Sequence, residues 1–189
     1  MTSVPLPRAF FERPHLQVAR SLLGCLLIRD GLVGRIVEAE SYGARGDRAC
    51  HTIARPSARA FLAAHPAGTA YVYLNYGVHW LLNVLAKDGQ NEGIVLIRAL
   101  EPLAGLDTMA ARRRTDDPRA LCSGPGKLSR AFGLDGTHHG HDLLTGSGLF
   151  LAAPAPGKVR VARGPRVGIS QAVDKPWRFW ISGNPWVSR

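Results

Sequence analysis

The chain has 189 residues, 46% of them hydrophobic and 20% charged, which suits a domain with its own core and excludes a disordered tail. Lys and Arg total 24 against 14 acidic residues, a formal net charge of +10 with a pI near 10.4. The positive groups are mostly arginines spread along the chain, so a polyanionic partner, nucleic acid first, is expected over a merely soluble basic surface. No apolar run approaches the roughly 18 residues that cross a bilayer, and MTSVPLPRAFFERP lacks the long apolar stretch of a signal peptide. A cytoplasmic protein of one domain, residues 1–189, is expected. Cysteines 25, 50 and 122 are odd in number and widely spaced, which points to reduced, buried thiols and against a disulfide framework or a cysteine zinc site.

In chain order, HLQVARSLL (15–23) has apolar positions at helical spacing and stops at Gly24, a suitable residue just past a helix end. CLLIR, Asp30-Gly31 and LVGRIVEAESY read as a hairpin with a two-residue turn. Residues 57–64 form a short helix before Pro66. Residues 70–85 make a second hairpin, and GIVLIRAL (93–100) a further strand. Helices follow at 103–114 and 125–132. The last sixty residues break into short runs, LFLAA, KVRVA, RVGIS and RFWIS, separated by Gly and Pro. Together these predict an α+β fold, a curved antiparallel sheet surrounded by helices. No G-x-G-x-x-G follows a strand, so no dinucleotide cofactor is implied.

The second hairpin, YVYLNYGVHW (71–80), holds three of the four tyrosines. With Asn75-Tyr76-Gly77 as a three-residue loop, Leu74 pairs with Val78 and Tyr73 with His79. One face then carries Val72, Leu74, Val78, Trp80 and Leu82, a core face. The other carries Tyr71, Tyr73, His79, Leu81 and Asn83. Tyr76 stands off the tip. An ordinary aromatic strand pair would place Tyr76 back on the surface, whereas a base-stacking or base-displacing protein would use it.

RIVEAESYG (35–43) puts Glu38, Glu40 and Tyr42 on one strand face. The three groups are either solvated or line a cleft in which one carboxylate acts as general base, and periodicity does not choose between the glutamates. His51 could donate a hydrogen bond to a substrate or phosphate. THHGHD (137–142) brings His138, His139 and His141 together without a carboxylate or cysteine partner at ligand spacing, so no metal is expected. SGPGKLS (123–129) departs from a phosphate loop at Leu121 and Leu128. Its Gly/Pro turn still opens a helix whose first turn, with Lys127, can hold a backbone phosphate. Arg112-Arg113-Arg114 reads as a solvated helix end.

Several segments in order resemble the alkyladenine (3-methylpurine) DNA glycosylases of the mammalian type: RSLLGCLL, GRIVEAESYG, ACHT, GTAYVYLNYGVHWLLNV, VLIRALEPLAGLDTM, LCSGPGKLSRAFG, RVGIS and GNPWVS. They run from about Leu6 to Trp186. The resemblance implies a monomeric, cofactor-free enzyme that flips a damaged purine out of double-stranded DNA and hydrolyses the base–sugar bond. It implies Glu40 as the general base, with Tyr42, His51 and Tyr73 enclosing the flipped base. It further implies Asn83 as a guard of the pocket, Arg98 behind it, Tyr76 in the gap left in the stack, and Arg166 near the DNA. Segments 87–92 and 137–141 depart from the family pattern. Two other readings fit parts of the sequence: an RNA-binding module stacking bases on Tyr71 and Tyr73, and a nucleoside hydrolase using Glu38 and Glu40.

Overall fold

The computed structural model describes residues 3–154 and 157–188. Helix α1 (His15–Ser21) leads into strands β1 (Leu26–Arg29) and β2 (Leu32–Gly43), then helices α2 (His51–Ala54) and α3 (Pro56–Ala64). Strands β3 (Ala70–Asn75), β4 (His79–Ala86) and β5 (Gly93–Ala104) follow, then helices α4 (Leu106–Arg113), α5 (Pro118–Leu121) and α6 (Pro125–Phe132). Strands β6 (Leu149–Ala152), β7 (Val161–Gly164) and β8 (Arg178–Ile181) complete the order. The Asp30-Gly31 turn forms as its residues demand, with φ of +47° and +83°.

The strands make one antiparallel sheet in the order β3-β4-β5-β2-β1-β6, with β8 joined to β2 and β7 to β8. Strand β2 is the spine. One edge pairs with β5 along most of its length, while the other pairs with β1 at Leu32–Arg35 and with β8 at Glu38–Glu40. Register shifts fall between Ile36 and Glu38 and between Glu38 and Ala39 on β2. Such bulges bend and twist a strand locally, and here they occur where β2 exchanges one neighbour for another.

One sheet face carries the main core, in which Phe11, Leu22, Ile36, Leu82, Ile97, Leu100, Leu128 and Phe132 are buried beneath α1, α4 and α6. Burying each of these side chains contributes roughly 1.5–3 kcal/mol. Across the sheet, Tyr71, Leu85 and Ile94 form a smaller cluster with Cys50, Ala58 and Leu62 from the α2–α3 region. Helix α6 starts with Pro125 in its first turn and ends at Gly133, φ +66°, the usual punctuation of a helix.

The α+β class and the curved antiparallel sheet are as the sequence predicts. Several details differ. The β3–β4 register pairs Leu74 with Trp80 and Tyr73 with Leu81, two residues off in total from the expected pairing. Parity is preserved, so the two faces keep their expected members, but the tip is longer and Leu74 and Val78 are exposed instead of buried. RVGIS is an irregular segment, not a strand, because its backbone is committed to the site described below. The helix expected from residue 103 starts at Leu106, since β5 runs on to Ala104. Arg112 and Arg113 are not simply solvated: they donate to the carbonyls of Ala131 and Leu121 at the ends of neighbouring helices. All three cysteines are free and buried.

Candidate active site

Register assembles the sheet floor of the site. Tyr71 pairs with Asn83, Asn83 with Leu96, Leu96 with Glu40, and Glu40 with Arg178, a continuous row across five strands. Paired residues share a face of the sheet. Above this face lies a cavity of about 470 Å³, a size suited to small-molecule or base recognition. Tyr42, His51, Tyr71, Tyr73, Asn83 and Arg98 line it, as do Tyr76 at one rim and Val167–Gln171 at another. Of the residues singled out from the sequence, Tyr42, His51, Tyr73, Tyr76, Asn83 and Arg98 are therefore brought together.

The two glutamates differ sharply. Both are fully buried, so the solvated-face reading is wrong for this strand. Glu38 accepts from Arg178 Nε at 2.6 Å, the Ser188 amide at 2.7 Å and Ser188 Oγ at 3.0 Å, and Arg98 Nε lies 3.0 Å away. Its lone pairs are consumed by the structure. Glu40 accepts from the Val167 amide at 2.8 Å and from Tyr42 Oη at 2.7 Å, with Arg98 Nη1 at 3.6 Å. A carboxylate offers about four acceptor positions, so Glu40 keeps capacity for a further donor. Burial holds its carboxyl above the ordinary 4.5, against the opposing pull of Arg98. Glu40 is not itself part of the cavity surface. It sits directly behind Tyr42, Arg98 and Val167, which are.

The aromatic wall is linked by its own contacts. Tyr73 and His51 meet edge to face at 4.3 Å between ring centres, and His51 Nδ1 lies 3.2 Å from Tyr71 Oη. Burial, with Arg55 nearby, lowers His51 to about 4, so its ring is neutral at physiological pH. Tyr73 is pushed up to about 12 by burial and remains a phenol. Asn83 Nδ2 donates to the carbonyls of Tyr71 at 3.0 Å and Leu81 at 3.3 Å. Two facing carbonyls fix the amide orientation and leave Oδ1 as the acceptor available to a ligand.

Arg166 requires a correction. Its side chain is fully buried, with Nη1 and Nη2 bonded to Asp47 at 2.6 and 2.9 Å and further bonds to the carbonyls of Ser41 and Ala172. A guanidinium so committed is not free to meet a DNA phosphate. It instead backs the Tyr42 ring, 4.6 Å from its centre. Lys127 lies outside the main cavity, exposed on the first turn of α6. With Arg113, Arg130 and His79 it lines a second, basic hollow on the far side of the hairpin. At the hairpin tip Tyr76 is 85% exposed, with φ +51° followed by Gly77 at +69°. A tyrosine in the left-handed region is uncommon and costs of order 1 kcal/mol or more.

The sequence reading left out Tyr71 as a cavity wall, although its alternation with Tyr73 signals it. It also left out Arg48, Arg55 and the Val167–Gln171 segment, whose approach depends on long-range packing. Histidines 138, 139 and 141 do not converge. His138 completes a capping box with Asp135, His139 Nδ1 faces the Val72 amide, and His141 Nε2 lies 2.7 Å from the Leu149 carbonyl.

Comparison with known proteins decides the lineage. The sequence model described as Methylpurine-DNA glycosylase (MPG) matches residues 9–185. The chain belongs to the methylpurine-DNA glycosylase family. A relative from Methanoculleus marisnigri is 46% identical over 97% of this chain and 98% of its own length. Others from Nitrosospira multiformis, 42% identical over 99% and 95%, and Salinibacter ruber, 43% over 97% and 96%, are equally full-length matches. All three bear the name "Putative 3-methyladenine DNA glycosylase". Among the described residues no helix is long and apolar enough to cross a membrane.

Proposed function

We infer that the chain is a monofunctional DNA glycosylase of base excision repair. It flips alkylated or deaminated purines out of double-stranded DNA and hydrolyses the N-glycosidic bond, acting as a cytoplasmic, nucleoid-associated monomer without a cofactor. The observation that carries this reading is an aromatic cavity with a buried carboxylate behind its wall, beside a hairpin that presents an exposed tyrosine. Family membership agrees with it.

In this reading Tyr42, Tyr73 and His51 enclose the flipped base. An N-alkylated purine is electron-poor and often cationic, so tyrosine faces attract it more than a neutral base. Asn83 Oδ1 screens the base edge, and Arg98 steadies Glu40. As the bond breaks, the sugar gains oxocarbenium character that Glu40 stabilises while it takes a proton from the attacking water. The lysines are Lys87, Lys127, Lys158 and Lys175, and none is among the described residues lining the cavity, in keeping with water as the nucleophile. Incubation with duplexes each carrying 3-methyladenine, 7-methylguanine, hypoxanthine or ethenoadenine, scored for free base, is the direct test. Release from none of them would remove the reading. Activity on free nucleosides without DNA would favour a nucleoside hydrolase instead.

Two expected outcomes belong to the DNA-binding surface. Affinity for undamaged duplex should fall steeply as salt rises, since Lys127 and the other cations displace counterions on binding phosphates. A flat plot of log K against log salt would show that the net +10 serves no such contact. Tyr76→Ala should alter stability by no more than about 0.5 kcal/mol, because an 85% exposed ring buries little. Its excision rate on a paired lesion should nonetheless drop, and drop less on a mispaired one, where less stacking and pairing must be replaced. The check is the paired-to-mispaired ratio of single-turnover rates in wild type and variant. An unchanged ratio would deny Tyr76 the role of filling the vacated space.

A further inference from the structure

The histidine-rich segment has no part in the reaction described above, yet it lies along the cavity's aromatic strand. Strand β3 is the sheet edge, so the outward N–H and C=O groups of its even-numbered residues have no neighbouring strand. The segment supplies partners one after another. The Ala70 amide donates to the His141 carbonyl at 2.8 Å, and the Gly140 amide to the Ala70 carbonyl at 2.9 Å. At the next outward amide the main chain has turned away, and the Val72 N–H donates instead to His139 Nδ1 at 3.1 Å. An imidazole thus continues the ladder where a strand would have placed a carbonyl. Val72 is flanked by Tyr71 and Tyr73, both cavity walls. The His139 ring also packs on Phe61 at 4.1 Å and edge-on to Tyr71 at 5.4 Å between centres.

We propose that His139 is a positioning residue: its neutral Nε2–H tautomer, accepting the Val72 amide at Nδ1, holds the backbone between Tyr71 and Tyr73 so that their rings stay set to receive a base. This rests on the glycosylase reading for its functional consequence, though not for its geometry. His139 is exposed and the strand has other bonds, so replacing it leaves the fold intact and the consequence falls on ring placement.

Two variants separate ring from acceptor. His139→Phe keeps an aromatic ring and loses the acceptor, whereas His139→Asn loses the ring and returns an oxygen near the position of Nδ1. Single-turnover excision should fall about threefold to tenfold in His139→Phe, the worth of one net hydrogen bond, and return to within about twofold of wild type in His139→Asn. Equal rates for His139→Phe and wild type, or an Asn variant as impaired as the Phe variant, would overturn the proposal. A second arm needs no catalysis. Nitrogen NMR of the wild-type imidazole should show an unprotonated Nδ1, and His139→Phe should shift the Tyr71 and Tyr73 ring signals and speed exchange of the Val72 amide. A protonated Nδ1 at neutral pH, or unmoved tyrosine signals in the Phe variant, would sink the positioning role. Wild-type protein that releases no base from any lesion duplex would remove the glycosylase reading alone, and this second arm would still decide the role of His139.

Discussion

Replacing Glu40 with Gln should lower single-turnover base release by about 100- to 10,000-fold, the usual cost of losing a general base, while affinity for lesion DNA stays similar or rises. The side chain is nearly isosteric, so Tyr42 or Val167 keeps an acceptor, and Arg98 keeps Glu38 as its partner at 3.0 Å. The pH dependence carries a matching sign. Because burial raises the Glu40 pKa above 4.5, the rate should climb with pH through a midpoint above that value, and the acidic limb should vanish in the Gln variant. For stability the sign is opposite. Between 4.5 and the folded-state pKa the native protein holds this proton more tightly than the unfolded chain, so ionising Glu40 subtracts stability as pH rises through that window. The Gln variant, lacking this group, should therefore be no less stable at neutral pH. Retention of more than about a tenth of wild-type single-turnover activity would remove Glu40 from the role of general base.

Glu38→Gln should show the reverse pattern, a loss of about 3–5 kcal/mol of stability with much more activity retained. Every acceptor position of Glu38 faces a donor: Arg178 Nε, the Ser188 amide, Ser188 Oγ and Arg98 Nε all lie within 3.0 Å. An amide would turn an NH2 group toward donors and leave the guanidiniums of buried Arg98 and half-buried Arg178 short of their counter-charge. The loss corresponds to a fall of roughly 6–20 °C in melting temperature for a protein of this size. Thermal melts and single-turnover assays well below the transition distinguish the two effects. An unchanged melting temperature together with abolished base release would exchange the roles of the two glutamates.

The hairpin was legible because its information is local. Alternation places Tyr71, Tyr73 and Asn83 on one face, and Asn-Tyr-Gly announces the turn. The exact pairing was not, because a shift of two residues in total leaves parity unchanged and only packing against β5 and α6 selects among such registers. The choice between Glu38 and Glu40 is of the same kind. Strand periodicity puts both on one face and says nothing of what comes to meet them. Ser188, Arg178 and Val167, 150, 140 and 127 residues away from their respective carboxylates, make one a structural anchor and leave the other capacity to act.

Charge was legible as a total, and its assignment was not. Composition fixes a cationic protein with ample material for a core, and pattern fixes an α+β chain with an aromatic hairpin. Neither reveals that Arg166 spends its charge on Asp47, 119 residues away, while Lys127 stays in solvent. Most of the elements, the faces of the strands and the types of residue available for chemistry were legible, because these follow from near neighbours and period. Only long-range packing settled what satisfies each carboxylate, which arginine is buried, and that a histidine side chain completes the edge of β3. Each of those outcomes depends on which distant donor or acceptor the packing brings to a buried polar group, and burial makes that satisfaction compulsory.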